Sequence, residues 1–199
     1  MIGLLNYGLG NIKAFSNILK NLNVNFIIPE NENDLKSCQK FILPGVGSFD
    51  EAVHNLKSKN YFNYLREEIT KNKKKILGIC VGMQIFLNKS EEGKQPGLGW
   101  VDGEVIKFDN SDLRVPHIGW NKIINLKKNK YFDEIDNSEF YFLHSYYCKL
   151  ENKNEVICNT NYTKDFCSAY QSDNIFGIQF HPEKSHENGI RLINNFLKK

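Results

Sequence analysis

The chain has 199 residues, 41% hydrophobic and 25% charged, which describes an ordinary soluble protein of one domain, 1–199, able to bury a sizeable core. The net charge is only +3 and the lysines are scattered, with solvated clusters at 71–75 and 127–130, so nucleic acid is not an expected partner. Five cysteines (Cys38, Cys80, Cys148, Cys158 and Cys167) form an odd set without C-x-x-C spacing, no signal peptide precedes the first strand, and no run nears the ~18 apolar residues of a membrane span. A reducing cytoplasm and no membrane contact are therefore expected.

Taken in order, residues 2–6 form a short apolar strand that ends in the glycine-rich turn 7–11. Ile12, Phe15, Ile18, Leu19 and Leu22 then recur at helical spacing. The turn lacks the further glycine of a phosphate-binding fingerprint, so no cofactor is expected there. Strands follow at 24–28 and 41–43, the second running into Pro44-Gly45-Val46-Gly47. Helical patterns at 49–56 and 61–69 lead to the apolar strand before Cys80, and helix-compatible sequence at 83–87 follows it. Near-continuous apolar strands separated by helices indicate a parallel sheet covered on both faces.

Beyond about residue 100 the pattern changes to strands joined by short turns, at 105–108, 122–126, 139–143, 156–159 and 166–171. A core strand at 177–180 and a helix at 189–197 complete the chain. The expected fold is α/β: a mostly parallel central sheet with helices on both faces and an added antiparallel strand layer. A site is expected at the carboxyl ends of the parallel strands, where Cys80, the 44–47 loop and His181 fall.

Read as strand, sharp turn and helix, Gly78-Ile79-Cys80-Val81-Gly82 is a nucleophile elbow with sulfur in place of the serine oxygen. A buried structural cysteine is the competing reading. An unperturbed thiol is only a few per cent thiolate at neutral pH and needs a basic partner. Of five histidines, His54 sits on an amphipathic helix and His186 in a polar turn, while His117 and His144 stay open as binding residues. His181 ends an apolar strand that Pro182 breaks, and Glu183 can turn back to orient its imidazole. An oxyanion hole would draw on the Val81 N–H and on the loop holding Val46 and Gly47.

Gly-Ile-Cys-Val-Gly-Met-Gln at 78–84, with Gln-Phe-His-Pro-Glu-Lys-Ser at 179–185, resembles the class I, or triad, glutamine amidotransferases. Further segments at 7–11, 44–49, 90–93, 116–121 and 141–146 resemble, in order and over nearly the whole chain, the branch formed by the glutaminase subunits of imidazole glycerol phosphate synthase. Asn6 departs from the aspartate common in that branch before Tyr-Gly. The resemblance implies that Cys80 attacks the side-chain amide of L-glutamine, with His181 as acid and base and Glu183 as its orienter. It also implies that Gln84, Glu92, His144, Ser145 and Tyr146 surround the substrate, Glu92 facing its ammonium, and that a peptide near Val46 switches the oxyanion hole. It implies neither cofactor nor metal. The partner would be a separate cyclase subunit with a barrel fold (HisF-type), in a heterodimer.

A docking face for that partner is expected from Asn11, Pro116, His117, Ile118, Trp120, Asn121 and Lys184, with Trp120 in a Gly-Trp-Asn turn as the anchor. Three other readings stand beside this one: a paralogous glutaminase feeding a sugar amidotransferase of surface-glycan synthesis, a stand-alone cysteine hydrolase, and a non-catalytic interaction protein. The motifs do not separate the first of these from the histidine branch.

Overall fold

The computed structural model describes residues 1–108 and 115–199. Its strands are β1 (Ile2–Leu4), β2 (Phe26–Ile27), β3 (Lys40–Leu43), β4 (Lys75–Ile79), β5 (Lys89–Ser90), β6 (Gly103–Lys107), β7 (His117–Lys122), β8 (Ile124–Asn125), β9 (Glu139–His144), β10 (Tyr146–Leu150), β11 (Val156–Asn161), β12 (Asp165–Ser172) and β13 (Ile175–Ile178). The helices are α1 (Ile12–Asn21), α2 (Glu32–Lys36), α3 (Phe49–Lys57), α4 (Phe62–Thr70), α5 (Val81–Gln84) and α6 (His186–Lys198).

Five strands, in the order β2-β1-β3-β4-β13, run parallel. The period-two alternation of a strand then sorts the core. On β3, Ile42 packs on the face that holds Phe15 and Leu19 of α1 and Leu192, Ile193 and Phe196 of α6. Phe41 and Leu43 pack on the other, with Ala52, Val53 and Leu56 of α3 and Leu65 and Ile69 of α4. The sheet is thus doubly covered, as expected. The antiparallel strands continue it: β12 pairs with β13, β10 with β12 and β6 with β10, so most of the added layer is one edge of the same sheet. Among the described residues, only β7 and β9 form a separate two-stranded sheet.

Several boundaries differ from the sequence expectation. The helix expected at 83–87 is instead the single turn α5, because the carbonyls of Ile85, Phe86 and Leu87 accept from the N–H groups of Leu98, Trp100 and Gly99. The single strand expected at 122–126 is broken at Ile123, which turns fully into the core between β7 and β8. The Gly-Trp-Asn segment is therefore not a turn but part of β7, where Trp120 pairs with Tyr141. His186 does not lie in a polar turn but opens α6, three residues earlier than expected. The short helix α2 lies outside the sequence expectation, although Asn31, whose side-chain oxygen accepts from Asp34 N–H, is a readable start signal for it. Asn6 accepts from Gly8 N–H at 3.2 Å, a turn bond that an aspartate would also make.

Candidate active site

The elbow is built at the middle of the sheet. β4 lies between β3 and β13, with Leu43 opposite Gly78 and Ile178 opposite Ile79. Directly after it, Cys80 takes φ 54° and ψ −117°, a conformation L-residues rarely adopt. Its N–H donates to Ile178 O at 2.9 Å, while its carbonyl accepts from Met83 and Gln84 N–H. The backbone at Gly82 passes so close to β3 that a Cβ there would sit 2.3 Å from Leu43 O. Glycine at 82 is required by that approach, and the approach holds the strained cysteine in place.

His181 is fixed from three sides. Its N–H donates to Tyr141 O at 2.8 Å, its carbonyl accepts from the Ser185 hydroxyl at 2.6 Å, and that hydroxyl accepts from Tyr141 N–H at 3.0 Å. A 3-10 turn at Pro182–Lys184 brings Glu183 back, so that Oε1 lies 2.9 Å from His181 Nδ1 with both side chains buried. The carboxylate accepts a hydrogen bond from Nδ1–H and leaves Nε2 to face the cysteine side; buried Nε2 has no hydrogen-bond partner among the described residues. Burial pushes the His181 pKa down, but the negative charges of Cys80 and Glu183 outweigh it and hold the imidazole above its ordinary value. The imidazolium form of His181 is the one this geometry favours.

Above them lies a pocket of about 260 Å³ lined by Val46, Gly47, Cys80, Val81, Gln84, Glu92, Pro116, Leu143, His144, Ser145, Tyr146 and His181. Gly47 has φ +130°, a conformation glycine supplies without strain, and Val46 beside it is half exposed. Glu92 Oε2 accepts from Phe49 N–H at 2.9 Å, and burial raises its pKa against that bond, with Asp50 adding to the rise. It is a carboxylate in want of a cation, which suits an ammonium group in the pocket. His144 donates from Nδ1 to Tyr146 O at 2.8 Å and accepts at Nε2 from His117 Nδ1 at 3.0 Å. The His117 Nε2 accepts in turn from Asn121 Nδ2 at 3.3 Å. The carbonyl can only accept, so the order of protons along this chain follows from chemistry, and both rings are neutral. Burial lowers His117 to about 4 and His144 to about 3.

The family model of class-I glutamine amidotransferases matches residues 4–199. The chain belongs to that family. Among its amidotransferase relatives, the "Imidazole glycerol phosphate synthase subunit HisH" of Leptospira interrogans is 49% identical, and that of Leptospira borgpetersenii 50%, each alignment covering 98% of both chains. A solved glutamine amidotransferase crystal structure superposes with a TM-score of 0.77 over 99% of this chain and 97% of its own, at 17% identity, which speaks for the fold.

Against this amidotransferase frame, the residues expected to act on substrate are all brought to one pocket, except Glu183, which stands behind His181. The expected docking residues divide. Ile118 and Trp120 are exposed on β7, Trp120 at 46%, stacked on His186 with ring centroids 5.1 Å apart. Lys184 is exposed, its Nζ 5.2 Å above the Tyr141 ring. Asn11 is exposed too, with its side-chain oxygen capping α1 at Ala14 N–H. Asn121 is half buried and also donates to Asn161 O. Pro116 lines the pocket.

His117 is a correction: it is only 3% exposed, stacked between Phe142 and Tyr162, and so it is no surface contact. Strand alternation explains this, since neighbours Ile118 and His117 must point to opposite faces.

Two residues in contact with Cys80 Sγ were missed. Leu143 carries no chemical signal in sequence. Gln179 does: a lone amide in the apolar run 177–180 is fully buried in the structure, where it joins Gln84 to Cys80.

Proposed function

We propose that this amidotransferase is the glutaminase subunit of imidazole glycerol phosphate synthase, freeing ammonia from L-glutamine for a separate cyclase subunit in histidine biosynthesis. The observation that carries the reading is Cys80, held at φ 54° beside the buried His181–Glu183 pair on the floor of a pocket with a carboxylate at Glu92. Relatives 49–50% identical over 98% of the chain bear that subunit's name, which favours this acceptor over surface-glycan synthesis.

In the reaction, the Cys80 thiolate attacks the amide carbon of the glutamine side chain, and an S–C bond forms. N–H groups at Val81 and in the loop at Val46 and Gly47 stabilise the oxyanion. His181 gives the Nε2 proton to the departing nitrogen as the C–N bond breaks, leaving ammonia and a glutamyl thioester. Water then attacks the thioester while His181 takes its proton, and glutamate leaves with the thiolate restored. Glu183 holds the imidazole in the tautomer that both halves need.

The partner is a barrel-type cyclase that docks on Ile118, Trp120, Lys184 and Asn11. Its signal has a direct path, because Trp120 pairs with Tyr141, whose carbonyl holds His181 N–H. The whole chain, 1–199, acts as one domain. Its five cysteines are free, which fits a reducing cytoplasm. The test is growth of a histidine auxotroph that lacks its own glutaminase subunit. Rescue by the wild-type gene and none by Cys80→Ala is expected; no rescue by the wild type beside a rescuing control from a relative would overturn the assignment.

A further inference from the structure

Gln179 follows β13 by one residue, and its side chain is fully buried beside the nucleophile. A buried amide must place both its donor and its acceptor. Here the placement is dictated from outside. The carbonyl of Tyr146 can only accept, so the Gln84 amide must turn its nitrogen toward it, at 3.0 Å. That nitrogen also donates to Gln179 Oε1, at 2.9 Å. With its oxygen committed, Gln179 has only N–H to offer on its other side, and Nε2 lies 3.7 Å from Cys80 Sγ. His144 Nδ1 occupies the same Tyr146 carbonyl at 2.8 Å, so the start of the series is anchored twice.

The sulfur therefore meets two opposed groups. Leu143 O, at 3.8 Å, can accept from the thiol and repels the thiolate. Gln179 N–H does the reverse. We propose that Gln179 is a further catalytic residue, whose side-chain N–H donates to the Cys80 thiolate and offsets the Leu143 carbonyl, with its orientation set by the Tyr146 carbonyl through Gln84. This donor is independent of the His181 proton relay, so it steadies the thiolate without competing for the proton that ammonia must receive. Once the S–C bond forms, the sulfur loses its charge and the bond weakens, returning Gln179 to its role in the Gln84 contact. The inference rests on Cys80 being the glutaminase nucleophile.

The test uses Gln179→Met, which keeps an unbranched side chain of similar length, and Gln179→Leu in case the first does not fold. Cys80 alkylation by iodoacetamide is followed by peptide mass spectrometry at pH 7 and pH 10. The titratable groups around the sulfur are His181 with Glu183, His144, Tyr7, Cys148 and, across the pocket, Glu92, and all are common to wild type and variants. A thiolate population lowered about tenfold is offset by a more nucleophilic sulfur, because reactivity follows basicity with a slope of about 0.4–0.5. A net slowing of about threefold at pH 7 is therefore expected, turning into alkylation about threefold faster than wild type at pH 10, where hydroxide removes the thiol proton in either protein and only the greater nucleophilicity remains. A side chain that merely filled space would slow both or neither. Equal rates at pH 7, or equal slowing at both pH values, would overturn the inference. A Cys80→Ala control run alongside separates the two levels. If that control still hydrolyses glutamine, the nucleophile assignment fails; if it is dead while the Gln179 variants alkylate as wild type, only the role of Gln179 fails.

Discussion

Acidification should strike the neutral His117–His144 pair, and the loss can be worked from the structure. Burial holds their folded pKa values at about 4 and about 3, against ~6.5 for an imidazole in the unfolded chain. A depressed histidine contributes stability that is fully present above ~6.5 and is lost as the pH falls toward the folded value, because there the unfolded chain binds the extra proton. At pH 5 each ring forgoes about 2 kcal/mol that its unfolded counterpart gains on protonation. The perturbation is His117→Phe, which keeps an aromatic ring against Phe142 and Tyr162. It leaves His144 Nε2 without its donor, an offset of about 1–3 kcal/mol that does not depend on pH.

The assay is urea unfolding at pH 7.5 and 5.0, followed by fluorescence of the two tryptophans. The variant should start less stable yet lose about 2 kcal/mol less than wild type between the two pH values. His181, raised above its ordinary value, acts in the opposite sense, stabilising at low pH and losing that contribution as pH rises, and it cancels in the comparison. Equal acid losses in the two proteins would show that His117 is already protonated or accessible in the fold, and would refute the neutral pair.

Three further outcomes are expected. Cys80→Ala should reduce glutamine hydrolysis to background while ammonia-dependent synthesis by the assembled enzyme persists; glutamate release at the wild-type rate would sink the mechanism. Gly82→Ala should lower the thermal midpoint and inactivate the protein, since the added methyl carbon meets Leu43 O at 2.3 Å; an active variant of unchanged stability would mean that the elbow is not packed as described. Trp120→Ala should weaken stimulation of glutaminase by the cyclase subunit, measured by titration, and leave Cys80 alkylation unchanged; undiminished stimulation would remove Trp120 from the docking face.

The sequence by itself determined the parallel core and the reacting groups, because both are written locally. Apolar runs such as 76–79, set between helical patterns, read as strands buried on two sides, and Cys80 between glycines, like Glu183 two residues after His181, is an arrangement written within a few residues. What only the tertiary structure decided are the matters of pairing and of which face looks outward. The one-turn length of α5 depends on carbonyls captured by the distant 98–100 segment, and no propensity at 83–87 reports that. His117 and Ile118 are adjacent in sequence, yet one is buried against His144 and the other exposed, a choice fixed by the register of β7 on β9. Gln179 was visible as an isolated amide in an apolar run, but its partners Gln84 and Cys80 lie 95 and 99 residues away, and hydrogen bonds of that separation exist only once the sheet has brought β4 beside β13.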